Sequence, residues 1–179
     1  MRAVSFGKVL VPTAGTPVQL GVSTLAANLG AGDTVLTVSN AGVYSPDMLP
    51  FPLVIDSGAN QESVTVTGMA STKFTVTRGA SPVAHSSGAA VVAIFPIAGF
   101  IASASDSNAG KAYLGTKGMA TGGSGQGTIK KFCVTAAGAA DDTLSVMLNS
   151  QDGDPGNITD YKIDVATSND GLNFAAWVR

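Results

Sequence analysis

Short stretches in which apolar residues alternate with polar ones recur along this chain. Residues 63–67 read Ser-Val-Thr-Val-Thr, and residues 74–77 read Phe-Thr-Val-Thr. Alternation with a period of two places one set of side chains on a core and the other in water, as in a β-strand. Turn-forming residues interrupt such stretches about every eight to twelve residues. The pattern therefore predicts an all-β protein with little or no helix.

The same alternation and turn signals predict strands on both sides of this central region. They fall at residues 4–12, 18–20, 34–38, 53–55, 89–94, 97–104, 111–115, 128–135, 143–148, 161–166 and 172–178. Asp170-Gly171 predicts a hairpin turn between the last two strands. Residues 118–127 are too rich in glycine to pack in a core, so we expect a mobile loop there. No Gly-Lys-Ser/Thr follows this loop, which argues against phosphate binding.

The region between residues 50 and 91 carries an ordered set of residues at fixed spacing. The set comprises Pro50-Phe51, Ile55-Asp56, Glu62, residues 64–67, residues 74–79, Ala84-His85 and residues 88–91. It resembles a small β-module found in virion proteins of tailed bacteriophages, and the resemblance covers residues 24–94.

The rest of the chain is similar to a second phage family, whose members are small β-sandwich proteins of the capsid decoration or cement type. The matching segments are residues 15–20 (Gly-Thr-Pro-Val-Gln-Leu), 102–104, 108–115 and 161–171. In that family the first segment lies close to the next two, whereas here the module separates them. The resemblance implies a discontinuous, jelly-roll-like sandwich of residues 1–21 and 96–179 that attaches to the virion. Residues 22–95 would form an inserted β-module that projects outward.

Charge is sparse in this chain. Charged residues make up 12 % of the 179 residues, about half the usual share. The net charge of -2 leaves no basic surface for nucleic acid, so we expect no nucleic-acid partner. Residues 1–20 lack the pattern of a signal peptide and no transmembrane run follows, so we expect synthesis in the host cytoplasm and no membrane partner. The single Cys133 excludes an internal disulfide and is expected to be a buried thiol.

Candidate catalytic and metal-binding residues are few. His85 is the only histidine, Glu62 is the only glutamate, and no nucleophile motif surrounds either. We therefore predict no catalytic residue, no cofactor and no enzyme activity, and expect His85 to anchor a turn or to face a neighbouring subunit. Asp152, Asp154 and Asn157 offer oxygen ligands of the kind that calcium prefers. Their spacing departs from the EF-hand and no glutamate closes the loop, which favours a plain exposed loop over a metal site.

Three functions fit these observations. The first is a decoration protein on the outer capsid surface of the virion, bound over junctions of the major capsid protein and, by analogy with the family, a homotrimer. The second is a structural adaptor of the tail or baseplate. The third is a carbohydrate-binding module of a receptor-binding protein, for which Trp177, Tyr44, Tyr113 and Tyr161 are the available aromatic platforms. Residues 1–11 and the closing strand with Trp177 are the candidate contact segments for self-association.

Overall fold

A computed structural model describes residues 2–132, 143–148 and 156–178. The described residues form an all-β structure. Of them, 52 % lie in strands and 8 % in helices, none of the described helices reaches seven residues, and the curled sheets are consistent with a β-sandwich. This confirms the fold class predicted from the alternating pattern. Short 3₁₀ helices lie at Pro46–Met48, Gly58–Asn60, Thr121–Gly123 and Ile158–Asp160.

Two four-stranded sheets are built from the two ends of the chain. Sheet A has the order β1-β14-β9-β12, with bounds Arg2–Leu10, Gly171–Val178, Ile97–Ala104 and Thr143–Met147. Sheet B has the order β11-β10-β13-β2, with bounds Thr128–Phe132, Ala112–Thr116, Tyr161–Val165 and Val18–Gln19. The strand neighbours within both sheets are antiparallel.

Aromatic rings join the inner faces of sheets A and B. Phe100 on β9 lies 4.7 Å from Tyr161 on β13 and 5.2 Å from Phe174 on β14, measured between ring centroids. Phe6 on β1 packs edge-on against Phe174 at 5.7 Å. Edge-to-face and offset pairs of this kind are favourable beyond the area that they bury. This cluster lies at the centre of the sandwich core.

The third sheet, sheet C, is six-stranded, and its strands all lie between residues 22 and 93. Its order is β3-β8-β5-β6-β7-β4, with bounds Val22–Thr24, Ala90–Ala93, Phe51–Ile55, Glu62–Ala70, Lys73–Thr77 and Val35–Thr37. The sheet curls until its ends meet, because Leu25 bridges Val38 and Ala26 N donates to Thr37 O at 2.8 Å. All of these strands fall within the segment expected to be an inserted module; that the segment is a domain projecting outward stays a prediction.

The chain leaves the sandwich and returns to it at adjacent points. Ala93 N donates to Gly21 O at 2.7 Å, and Ile158 N donates to Phe95 O at 3.0 Å. Gly21 has a φ of +66°, and a Cβ there would lie 2.9 Å from the Ile158 side chain. Glycine is therefore suited to this crossing both by its backbone conformation and by the close packing around it.

The module also touches the first strand of the sandwich. Ser5 N donates to the Asp47 carboxylate at 3.3 Å, and the Ser45 hydroxyl donates to Ser5 O. Arg2 adds a hydrogen bond to Met48 O at 3.2 Å. Buried side chains of both parts belong to one continuous hydrophobic cluster. Sheet C therefore packs against the sandwich as well as being connected to it.

Two local predictions are wrong. Asp170-Gly171 does not close a hairpin, because β13 belongs to sheet B and β14 to sheet A. The turn instead packs on the loop before β10, where the Asp170 carboxylate accepts from Ala109 N and Gly110 N at 2.8 to 3.1 Å. The backbone N–H groups of this distant loop satisfy the carboxylate of Asp170, and the turn carries the chain from sheet B to sheet A.

The glycine-rich segment 118–127 packs against sheet B. Met119 is buried, and the Thr128 hydroxyl donates to Gly123 O at 2.5 Å. Gly123 has a φ of +66° and lies against the Tyr113 ring, where a Cβ would overlap the ring atoms. The expectation that this segment is too glycine-rich to pack is wrong at Met119, Gly123 and Gly127, because the absent glycine side chains permit close approach there. That the segment is mobile stays a prediction.

Candidate functional site

Four polar residues of the module's fixed-spacing set come together at one end of sheet C. We call Asp56, Glu62, Arg78 and His85 the polar clamp. Arg78 Nε and Nη2 donate to the two Glu62 carboxylate oxygens at 2.9 and 2.5 Å. His85 Nε2 lies 3.0 Å from Glu62 Oε2. The Arg78, Glu62 and His85 side chains are only 5 %, 9 % and 0 % exposed.

The clamp ties three separate segments together. Arg78 Nη1 donates to Gly30 O at 2.6 Å and to Asp33 O at 3.2 Å, and Nη2 donates to Val83 O. Val83 N donates to the Glu62 carboxylate at 3.2 Å. One guanidinium and one carboxylate therefore join strand β6, the turn at residues 30–33 and the loop at residues 78–85.

Electrostatics favour the charged forms of this pair. The hydrogen bonds from Arg78 lower the pKa of Glu62 to about 2, aided by those from His85 and Val83 and opposed by burial. The hydrogen bond to Glu62 raises the pKa of Arg78. A bidentate, charge-assisted pair of this kind is stronger than a neutral hydrogen bond and fixes geometry as well.

His85 is anchored through both its backbone and its ring. Its N–H and C=O pair with the backbone of Leu29 at 2.9 Å each. Nδ1 has no hydrogen-bond partner and lies 3.6 Å from the Asp56 carboxylate. Because the ring is fully covered, a substrate has no access to it in this conformation. The clamp is built to hold loops together, and the structure places His85 as the anchor of a loop.

The Glu62–Arg78 pair was missed in the sequence, although one signal pointed to it. Glu62 is in phase with Val64 and Val66, so a two-residue period places all three on the buried face of β6. A carboxylate on a buried face needs a partner. Arg78 directly follows the next strand, β7, which pairs with β6.

A second candidate is the solvent-facing side of sheet A, which we call the outer A face. Strand register aligns its outward residues in three rows: Ala3, Trp177, Gly99 and Met147; Ser5, Ala175, Ile101 and Ser145; and Asn173, Ser103 and Thr143. Met147 is 63 % exposed and Ile101 is 37 % exposed. None of these outward residues is charged. Lys8, opposite Asn173, is a cation at one margin and donates to the Ser107 hydroxyl at 2.6 Å.

The outer A face unites the two segments expected to mediate contacts. Strand β1 from residues 1–11 and strand β14 with Trp177 are hydrogen-bonded neighbours, and Ala3 lies opposite Trp177. Small side chains leave a shallow hollow near Ser5, Ile101 and Ala175. Apart from Lys8 at its margin, the face is uncharged. It is also slightly uneven and partly apolar, which suits it to contact with a protein surface.

The tyrosines considered as sugar platforms are buried. Tyr44 is 3 % exposed and donates its hydroxyl to Val91 O at 2.7 Å, while Tyr113 and Tyr161 are 9 % and 7 % exposed. Trp177 lies on the outer A face and is partly buried. A carbohydrate-binding module stacks sugars on exposed rings, so the positions of these tyrosines do not favour that function.

The loop considered as a calcium site, for which the sequence favours a plain exposed loop, falls mostly outside the described residues. Asp152, Asp154 and Cys133 belong to the segments that the structure does not describe. Asn157 is described, and its side chain accepts from Phe95 N at 3.1 Å. Among residues 2–132, 143–148 and 156–178, no group of three or more His, Cys, Asp or Glu residues could hold a metal ion.

Within the described ranges, no helix is long and apolar enough to cross a membrane. No protein-family model, no curated protein and no solved structure matches this chain.

Proposed function

We propose that this chain is a structural, non-enzymatic protein of a tailed-phage virion. It sits on the outer capsid surface and stabilises junctions between subunits of the major capsid protein. The observation that carries this proposal is the outer A face, an exposed sheet surface with Ile101 and Met147 uncovered and with Lys8, at one margin, as the one charged residue in its rows. The sequence resemblance of the sandwich segments to decoration proteins supplies the identity of the partner.

The size of the outer A face constrains how it binds. Four strands at a spacing of about 4.8 Å and a length of about 25 Å present roughly 480 Å². A standard interface buries about 800 Å² on each partner. One face alone is therefore small for stable attachment, and several linked faces bound to one particle gain affinity through their effective concentration. This argument supports self-association, for which the family resemblance implies a homotrimer.

Replacement of Ile101 tests the attachment surface. Ile101→Lys places a cation in the middle row of the outer A face, away from Lys8 at the margin, where the new charge would be desolvated on binding. We expect at least a roughly tenfold loss of affinity for particles of the parent phage that lack this chain, measured by co-sedimentation. Thr65→Lys, at an exposed position of β6 in sheet C, is the matched control and should bind as the unmodified chain does.

Circular dichroism first establishes that both variants are folded. Unchanged binding by a folded Ile101→Lys variant would refute the attachment surface. Failure of the unmodified chain to bind such particles would refute the function itself. The number of copies in purified virions separates the capsid from the tail, since a capsid protein is present in hundreds and a tail or baseplate adaptor in a few dozen or fewer.

A further inference from the structure

The four outer edges of the sandwich sheets are not equally protected. Strand β1 is covered by contacts from residues 45–48, strand β11 carries Lys130 and Lys131, and strand β2 is only two residues long. Covering segments, lysines and very short strands are known ways in which proteins prevent an edge from pairing with another chain. Strand β12, the last strand of sheet A, has none of these three features among the described residues.

The backbone of β12 presents pairing groups outward. Leu148 N donates to Ala98 O at 2.8 Å, which fixes the alternation along this strand. Leu144 and Val146 therefore direct their backbone groups toward β9, in phase with Leu148. Thr143, Ser145 and Met147 direct their N–H and C=O groups away from β9. The strand reads Thr-Leu-Ser-Val-Met, with no charge and no proline.

We propose that β12 pairs antiparallel with β12 of a second copy of this chain, about a two-fold axis at Ser145. Thr143 of each copy then lies opposite Met147 of the other, and the two Ser145 residues face one another. Three hydrogen-bonded residue pairs of this type exchange about six backbone hydrogen bonds. The contact is isologous, as in most two-fold dimers.

The side chains favour a second copy over an unrelated strand. With the axis at Ser145, Leu144 of each copy lies opposite Val146 of the other on the inner side of the sheet. Both residues are only partly buried in the single chain, although they pack against the core. Pairing would cover them with each other, and no like charges meet at the axis. The strand is self-complementary on both of its faces.

Pairing would also join the two sheets A into one continuous sheet. The outer A faces would then form a single surface of roughly 960 Å², above the 800 Å² that one partner of a standard interface contributes. This consequence for attachment rests on the proposed function, whereas the two-fold contact itself does not. A two-fold contact replaces the trimer implied by the family resemblance with a dimer.

A charge exchange at the axis tests the contact. Ser145→Lys places two lysines opposite each other, and like charges directly opposite on paired strands are destabilising. By sedimentation equilibrium, we expect the unmodified chain to be a dimer at micromolar concentration. Ser145→Lys and Ser145→Asp should each raise the dissociation constant of the dimer by at least about tenfold. Ser63→Lys, an equivalent exchange at an exposed position of the internal strand β6, should leave the dimer unchanged.

Mixing the two charged variants distinguishes loss of pairing from loss of folding. A lysine opposite an aspartate is attractive, so an equimolar mixture of Ser145→Lys and Ser145→Asp should recover a heterodimer. A monomer or a trimer of the unmodified chain would overturn the proposal. The proposal would also be overturned if Ser145→Lys and Ser145→Asp each left the dissociation constant of the dimer unchanged, or if the mixture of the two variants stayed monomeric. A dimer that nevertheless fails to bind phage particles would refute the proposed function and leave the two-fold contact intact.

Discussion

Exchange of Glu62 for glutamine tests the ion pair of the polar clamp most directly. Glu62→Gln keeps the size of the side chain but removes the charge that pairs with Arg78. The amide also turns one acceptor into a donor, whereas the carboxylate accepts hydrogen bonds from Arg78, Val83 and His85. Removing one partner of a buried ion pair costs about 3–5 kcal/mol, because the other charge stays buried without compensation. We expect Glu62→Gln to lower the free energy of unfolding by that amount.

The pH dependence gives a second measure of the same interaction. The pKa of Glu62 is lowered from 4.5 to about 2 in the folded protein. This depression contributes stability that is fully present above pH 4.5 and is lost as the pH falls from 4.5 toward 2. A shift of that size corresponds to about 3 kcal/mol. The unmodified chain should lose this contribution on acidification, and the Glu62→Gln variant should not.

Urea unfolding at pH 7 and pH 3 measures both effects. Circular dichroism reports all three sheets, whereas fluorescence of Trp177, the only tryptophan, reports sheet A of the sandwich. In the variant, a loss of strand signal before the change in fluorescence would show that sheet C unfolds first. Asp106→Asn is the matched acid-to-amide control. Asp106 is exposed in the turn after β9, away from the clamp, and its replacement should change the free energy of unfolding by no more than about 0.5 kcal/mol. If Glu62→Gln lowers the free energy of unfolding by less than about 1 kcal/mol at pH 7, the reasoning is refuted.

Three further perturbations follow from the packing. Gly123→Ala should lower the free energy of unfolding, measured with urea, by more than Gly58→Ala does. Both glycines have a φ near +65°, but only a Cβ at residue 123 would overlap the Tyr113 ring, and equal losses of stability would contradict this. Tyr44→Phe removes a buried hydroxyl that donates a hydrogen bond to β8, and should lower the free energy of unfolding by about 1 kcal/mol. An unchanged free energy of unfolding would show that this hydrogen bond does not stabilise the fold. Replacing residues 22–95 by a short Gly-Ser linker should leave a folded sandwich that still binds phage particles. Amide exchange in β1 should become faster, because the contacts of this strand with residues 45–48 are lost. An unfolded remnant would contradict this prediction.

The strands were predictable because their signal is local. Residues 63–67 and 74–77 alternate with a period of two, and both lie in paired strands of sheet C, β6 and β7. The choice of partner strand is not local. Asp170-Gly171 has the composition of a hairpin turn, but the atoms that hold it lie at Ala109 and Gly110, about sixty residues earlier in the chain.

The clamp shows the same division between local and long-range information. The period-two pattern places Glu62 on a buried face, but the sequence alone does not name Arg78 as its partner. That pairing depends on the register between β6 and β7, in which a shift between Val66 and Gly68 changes the residues that lie opposite each other. A β-bulge of this kind leaves no reliable mark in a stretch of alternating residues. The edge role of β12 likewise emerges only when all strand neighbours are known.

The chain leaves the sandwich at Gly21 and returns to it at Ala93, and the closeness of these two residues makes the sandwich suitable for carrying other inserted domains. Their backbones share a hydrogen bond of 2.7 Å, so the Cα atoms of the two crossing residues lie roughly 5 Å apart. Any foreign domain whose own termini are that close could be grafted there without stretching the strands on either side. Because the entropy of closing a loop grows only slowly with its length, the size of the graft matters less than the spacing of its ends. The same geometry would let recombination at these two positions replace one inserted domain by another while the sandwich itself is kept.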